Sequence, residues 1–282
     1  MQLRAGEMPL LQSMVRQLAG VALDDGKGYL IESRLGPIAE RSGCANFNEL
    51  YFKLRYASDP ALTQAVVDAI TTHETNWFRD GAPFDAMQFK IVPEAIDARE
   101  RMGQGRRLRI WSAASSTGQE AYSIGMVLCE LIPDIEKWDV QILGTDIARS
   151  SVESATRAIY ADHEMQRTSR PQLMSKYFER VDGGYRVVDR VRRLCRFEQR
   201  NLMEPLTLLG PFDIVFVRNV LIYFDKQDKV QLMARIRNVL QPHGWLFVGS
   251  TENLMDVGAE WVPETHCRAT VYQPNARRPA LR

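Results

Sequence analysis

Cysteine is sparse. Four occur in 282 residues, at Cys44, Cys129, Cys195 and Cys267, and none forms a CxxC pair. That scatter excludes a disulfide framework and a thiolate metal knuckle, and it suits reduced thiols in a cytoplasmic protein. Histidine is equally thin, at His73, His163, His243 and His266, without metal-ligand spacing, so no structural metal is expected. No apolar run approaches the roughly 20 residues needed to span a bilayer. Gln12, Arg16 and Gln17 interrupt the N-terminal stretch, which therefore lacks the continuous apolar core of a signal peptide. Nor does one sign of charge dominate: 36 basic residues face 35 acidic ones. That balance removes the global field that would favour nucleic acid. Membrane insertion and nucleic-acid binding are both unexpected.

What the chain has is two regimes of hydrophobic pattern. From about residue 8 to 72 the apolar residues recur at helical spacing, as in "PLLQSMVRQLAGVAL", which implies a small bundle of short helices. Asp59 before Pro60 is a good N-cap and first-turn pair. Gly36 and Pro37 fall inside "IESRLGPIAERSG", where a break or kink is expected. From about residue 108, strands alternate with helices. The strand candidates are "LRIWSAA", "VQILGTDI", "RFEQRNL", "FDIVFVRN", "GWLFVGS" and "ATVYQP". This is the rhythm of a mostly parallel, doubly wound α/β sheet. The last of these follows a loop rather than a long helix, which suggests an antiparallel strand. Between about 162 and 195, "YFERV", Asp182-Gly183-Gly184 and "YRVV" read as a hairpin inserted in that rhythm. Seven arginines against three acids from Arg180 to Arg200 read first as a solvated face, with a docking surface for an acidic partner as the alternative.

Ligands of an open parallel sheet bind beyond the C-terminal strand ends. The loop after the first strand, "WSAASSTGQEAYS", has one glycine, Gly118, where a dinucleotide site usually shows three. Ser112, Ala113, Ala114, Ser115 and Ser116 keep it thin, and Gly118 permits a close backbone approach. Glu120 stands in the first turn of the next helix. A carboxylate there suits the helix dipole, and it repels phosphate while attracting an ammonium. Asp146 ends the second strand, where an acid can accept two ribose hydroxyls or cap the next helix. Asn201 ends the third strand. Arg218 and Asn219 end the fourth, with Tyr223 close behind. The polar, aromatic linker "THETNWFRD" brings His73, Thr75 and Arg79 to where it can cover the same crevice.

Together "ITTHETNWFRD", "RIWSAASSTGQEAYSIGM", "GTDI", "RNLM" and "FDIVFVRNVLIYFD" resemble the CheR-type glutamate methyltransferases of chemotaxis receptors, over nearly the whole chain. The resemblance implies an N-terminal helical domain for receptor recognition (1–72), a linker contributing to the cofactor site (73–92) and a methyltransferase domain (93–274). That last domain would be a Rossmann-like, mostly parallel seven-stranded sheet, with a small antiparallel β subdomain at about 165–195. A disordered basic tail (275–282) is expected to follow. It also implies S-adenosyl-L-methionine as cofactor and S-adenosyl-L-homocysteine as product. By match to the family's positions, the cofactor contacts would be His73, Thr75, Arg79, Ala113, Gly118, Glu120, Asp146, Asn201, Leu202, Arg218 and Asn219. Glu120 would hold the methionyl amino group, Asp146 the ribose, and Asn201 and Leu202 the adenine end. Arg79 and Tyr223 match residues acting near the transferred methyl.

The chain departs from the family at His73, where asparagine is common, and at Gln119 and Ala121, where an acid and a proline are common. Its "VDGGYR" turn is short, which suggests recognition of receptors without a C-terminal peptide tether, by a monomer. Arg34 and Arg41 remain where relatives present arginines to the receptor. An NAD-dependent oxidoreductase is disfavoured by the glycine-poor loop and by Glu120. A noncatalytic module that keeps the cofactor is the other alternative.

Overall fold

A computed structural model describes residues 1–206 and 209–275; most of the basic tail, 276–282, lies outside the described residues. Four helices make the first unit: α1 (Glu7–Ala19), α2 (Gly28–Arg41), α3 (Phe47–Tyr56) and α4 (Pro60–Ile70). Their apolar faces meet in one core around Leu11, Val15, Ile31, Leu35, Phe47, Leu50 and Val66. Asp59 caps α4 as its sequence suggests, accepting the Leu62 N–H at 3.0 Å with Pro60 in the first turn.

The expected break at Gly36-Pro37 is absent, for α2 runs through both residues. The clash that bars helical geometry before proline involves the preceding Cβ, and Gly36 has none. Buried Leu35, Ile38 and Ala39 on either side anchor both halves to the core. Tertiary packing thus offsets the one missing donor.

A short α5 (Ala82–Ala86), a π-helical stretch (Met87–Ile91) and α6 (Val92–Arg101) lead to the sheet. Its strands are β1 (Arg107–Ala113), β2 (Asp139–Asp146), β6 (Cys195–Gln199), β7 (Phe212–Val217), β8 (Leu240–Val248), β9 (Trp261–His266) and β10 (Ala269–Pro274). They lie in the order β6-β2-β1-β7-β8-β10-β9. Pairings among the first five are parallel, and β10 pairs antiparallel with both β8 and β9. The strand order reverses between β1 and β7, which is the switch point where ligands of such sheets bind.

Both faces of the sheet are covered, so its central strands are apolar throughout rather than alternating. Ile110, Ile214 and Phe216 join one core with the linker aromatics Trp77 and Phe78 and with α7 (Gln119–Leu131). Trp111, Val215 and Val217 join the other with α12 (Lys226–Val239).

Strand β9 falls in a stretch that reads as loop. It is an edge strand with half its residues exposed and Pro263 inside it, a residue tolerated only at an edge. The small second sheet has three strands: β3 (Ile159–Tyr160), β4 (Phe178–Val181) and β5 (Gly184–Val187), in the order β3-β5-β4. The hairpin at Asp182-Gly183 is as its sequence suggests. The two-residue β3 is too short to leave a periodicity, and it starts this sheet ahead of the expected boundary at 165. It follows α8 (Arg149–Arg157), while α9 (Asp162–Met165), α10 (Pro171–Tyr177) and α11 (Asp189–Arg192) fill the remaining connections. Most of the arginines between 180 and 200 pair with acids, as Arg180 does with Asp162, Arg186 with Glu179 and Arg190 with Glu136.

Candidate active site

The ends of β1, β2 and β7 meet over a cavity of about 230 Å³. The loop leaving β1 is folded sharply. Ala114 and Ser116 take φ values of 56° and 51°, and Gly118 takes 96°. Left-handed backbone at non-glycine residues is costly and persists only where surroundings hold it. Here the end of β2 does so: Ser115 N donates to the Thr145 carbonyl at 2.8 Å, and Ser116 N donates to Asp146 at 2.8 Å. Ala114, Ser115 and Ser116 therefore face the cavity.

Asp146 is buried on the cavity wall. Its two oxygens accept the N–H groups of Ser116 and Ala148, the latter at 3.0 Å. Burial pushes its pKa above the usual aspartate value, against the opposing pull of those two N–H groups. Each carboxylate oxygen has a second lone pair, so the residue retains acceptor capacity for a diol. It does not cap α8 directly, since Ala148 occupies the cap position.

Glu120 accepts from Ser112 Oγ at 2.7 Å and from Arg218 Nη1 at 2.8 Å. Arg218 is almost wholly buried. Its Nη2 reaches Asp80 at 2.7 Å and the Arg79 carbonyl at 2.9 Å, and its guanidinium lies 5.8 Å from the Phe84 ring centre. This one arginine fastens the linker to the sheet and fixes Glu120. Among the described residues its Nε is buried without a partner. Asp80 and Glu120 share this one buried cation, so the Glu120 carboxylate is only partly neutralised and can still attract an ammonium group.

Thr75, Arg79, Asn201, Leu202, Asn219 and Tyr223 also line the cavity, together with Glu120, Asp146 and Arg218. Arg79 donates to the Glu74 carbonyl at 3.1 Å. Asn201 Nδ2 reaches the Leu18 carbonyl at 3.1 Å. Tyr223 is half-buried.

Three expected contacts lie off the wall. The His73 ring turns away: Nε2 lies 3.0 Å from the Asp68 carbonyl and Nδ1 lies 2.9 Å from Ser151 Oγ, so it ties the linker to α4 and α8. Ala113 is buried in the core beneath the loop. Gly118 faces the protein as well, because a Cβ there would come within 2.9 Å of Ala155 and 3.1 Å of the Tyr160 hydroxyl. A glycine is required here by α8 and Tyr160 behind the loop and by the left-handed φ.

The wall also includes residues that sequence reasoning missed. Val21, Leu23 and Lys27 bring the connection after α1, and Leu30 and Arg34 bring α2, to the cavity. Arg34 does not point outward: its Nη1 donates to the carbonyls of Ile70 and Thr71, at 3.0 and 3.2 Å, closing the C-terminal end of α4. Docking of the helical unit is direct, through Ala22 N to the Tyr223 carbonyl at 2.8 Å and Arg16 to Asp225 and Asp228. No sequence signal marks this wall, since it arises from how two units meet.

An open α/β sheet with a glycine-poor loop after its first strand, a carboxylate at the start of the helix that follows and an acid ending its second strand defines a Rossmann-like methyltransferase. The chain belongs to the CheR methyltransferase family. The family's all-alpha domain matches residues 6–71, and its S-adenosylmethionine (SAM) binding domain matches residues 73–270. Similar relatives include chemotaxis protein methyltransferase 1 of Pseudomonas aeruginosa, 37% identical over 88% of this chain and 90% of that one. The chemotaxis protein methyltransferase of Vibrio parahaemolyticus is 38% identical over 83% and 84%, and Cher2 of Pseudomonas putida 37% over 85% and 87%. The cofactor of this family is S-adenosylmethionine, and the acceptors on the wall fit it: Asp146 keeps lone pairs free for hydroxyls, and Glu120 offers an acid for an ammonium.

Proposed function

We propose that this protein esterifies glutamate side chains of chemotaxis receptors with the methyl group of S-adenosylmethionine, in the cytoplasm, for sensory adaptation. One observation carries the reading: a single cavity gathers Asp146, Glu120, Arg79 and Tyr223. The cofactor supplies an activated methyl on a sulfonium.

Residue by residue, Asp146 accepts the ribose hydroxyls, and Glu120, held by Arg218, seats the amino group. Thr75, Asn201, Leu202 and Asn219 enclose the rest. Arg79 and Tyr223 stand where the acceptor enters. A glutamate carboxylate has a pKa of about 4.3 and is ionised at neutral pH, so the wall needs no general base, and among the described residues the cavity wall carries no histidine or cysteine. Its work is alignment and the exclusion of water. Methyl transfer neutralises an anion and a cation together, so a tight ground-state pair between Arg79 and the acceptor would slow it. Arg79 therefore orients rather than neutralises. The short turn at Asp182-Gly183 favours receptors recognised through their helical cytoplasmic region without a C-terminal tether.

The deciding experiment incubates the protein with labelled S-adenosylmethionine and receptor-bearing membranes of the native host. A base-labile methyl label on a receptor-sized band is expected. Binding of S-adenosylhomocysteine without any such label would make the protein a noncatalytic module, and tight binding of NAD instead would remove the cofactor assignment.

A further inference from the structure

The turn that follows β7 carries Asn219, Ile222 and Tyr223 to the cavity, yet little within the turn itself fixes it. Asn219 sits in the left-handed region, with φ of 59°, and Leu221–Tyr223 form one turn of 3-10 helix. A turn that short leaves its leading N–H groups without internal partners. Its own bonds begin only at Tyr223 N to the Val220 carbonyl, at 3.1 Å.

A carboxylate from the loop after β8 takes those groups. Glu252 Oε2 accepts the N–H of Asn219 at 2.8 Å, and Oε1 that of Ile222 at 3.3 Å. The same Oε2 accepts the N–H of Gly249 at 2.7 Å, which ties the turn to the end of β8. Position 249 has no room for a side chain: a Cβ there would come within 2.6 Å of Glu252 Oε2 and 3.0 Å of Asn219 N. Gly249 is thus the space into which Glu252 reaches. A carboxylate accepting several N–H groups makes charge-assisted bonds, stronger than neutral ones. Both Glu252 and Gly249 lie outside the cavity wall.

We infer that Glu252 is a positioning residue of the methyltransferase site: it sets Asn219 and Tyr223 against the cavity by clamping the backbone of the turn that bears them, with Gly249 as its obligatory neighbour. The inference rests on the reading of the cavity as an S-adenosylmethionine site.

Two substitutions reach the clamp by separate routes. Glu252→Gln keeps the shape and removes the charge, and Gly249→Ala keeps the charge and displaces the carboxylate. In both, with folding checked by circular dichroism, amide exchange at Asn219 and Ile222 should quicken by about tenfold or more, the loss expected for a charged hydrogen bond. The dissociation constant for S-adenosylhomocysteine should weaken by a similar factor. The double variant should be little worse than the poorer single one, because both break one device. Unchanged exchange in Glu252→Gln overturns the clamp. Faster exchange with unaltered affinity and turnover overturns its positioning role, leaving Glu252 merely structural. Failure of the wild type to bind S-adenosylhomocysteine is a different result, sinking the cofactor reading and this role with it.

Discussion

At Asp146, burial and the proposed ribose binding pull one carboxylate in opposite directions. Burial holds its pKa above the ordinary 3.8, so the folded protein takes up a proton there more readily than the unfolded chain. The residue's contribution to stability therefore rises as pH falls through the raised value. In the proposed site, its charge-assisted grip on ribose hydroxyls would be lost over the same window. Titrating S-adenosylhomocysteine affinity and melting temperature against pH should show the two moving apart, and Asp146→Asn should flatten both trends. Asp146→Ala should weaken cofactor binding by about 1.5–3 kcal/mol, read by calorimetry. Arg79→Ala should reduce methyl transfer more than cofactor affinity, a split that single-turnover kinetics would reveal; equal losses would assign Arg79 to binding. Much of this site is legible in the sequence because strand ends and helix starts fix where Asp146, Glu120 and Arg218 emerge. What is not legible is which way a loop residue faces. Ala114 and Ser116 adopt left-handed backbone, and this rotation puts them on the wall while Gly118 turns to the core. The direction of the His73 ring is illegible for a related reason: one partner, Ser151 on α8, is distant in sequence, although Asp68 on α4 is only five residues away.

At the scale of elements, helix α8 has a start that its own sequence leaves bare. Ala148 offers no capping side chain. Asp68, from α4, supplies the cap instead, accepting Arg149 N at 3.1 Å and Ser150 N at 3.4 Å. This carboxylate meets the positive end of the helix dipole and joins the helical unit to the sheet. Asp68→Ala should cost about 1 kcal/mol, the usual loss of an N-cap, measured by denaturant unfolding. An effect near zero would show the cap to be solvated rather than structural. Long periodic elements such as α1, α7 and β7 were readable because one face or both must be apolar. Strand β9 was not, since an exposed edge imposes no such pattern, and the unbroken α2 was not, since burial of Leu35, Ile38 and Ala39 outweighs local geometry at Pro37.

The whole molecule is organised around a seam. Gly20, at φ of 72°, lets α1 end against the sheet domain; a Cβ there would come within 2.5 Å of Phe224 and 2.8 Å of Met203. Gly20→Ala should destabilise by about 1–3 kcal/mol through overpacking, with added strain at the left-handed backbone, and should weaken S-adenosylhomocysteine binding because the seam borders the cavity. A drop in melting temperature with intact affinity would separate the seam from the site.

The inner surface of α2, through Leu30 and Arg34, faces the cavity, while its outer surface carries exposed Tyr29 and Arg41. On the proposed function, a receptor docking on the outside and a nucleoside settling on the inside would act on one helix. Thermodynamic reciprocity then binds them: by whatever factor the docked protein alters cofactor affinity, the cofactor alters the docked protein's affinity by the same factor. Loaded and spent forms of the enzyme, differing by one methyl group and one positive charge, could be told apart from outside by that helix alone.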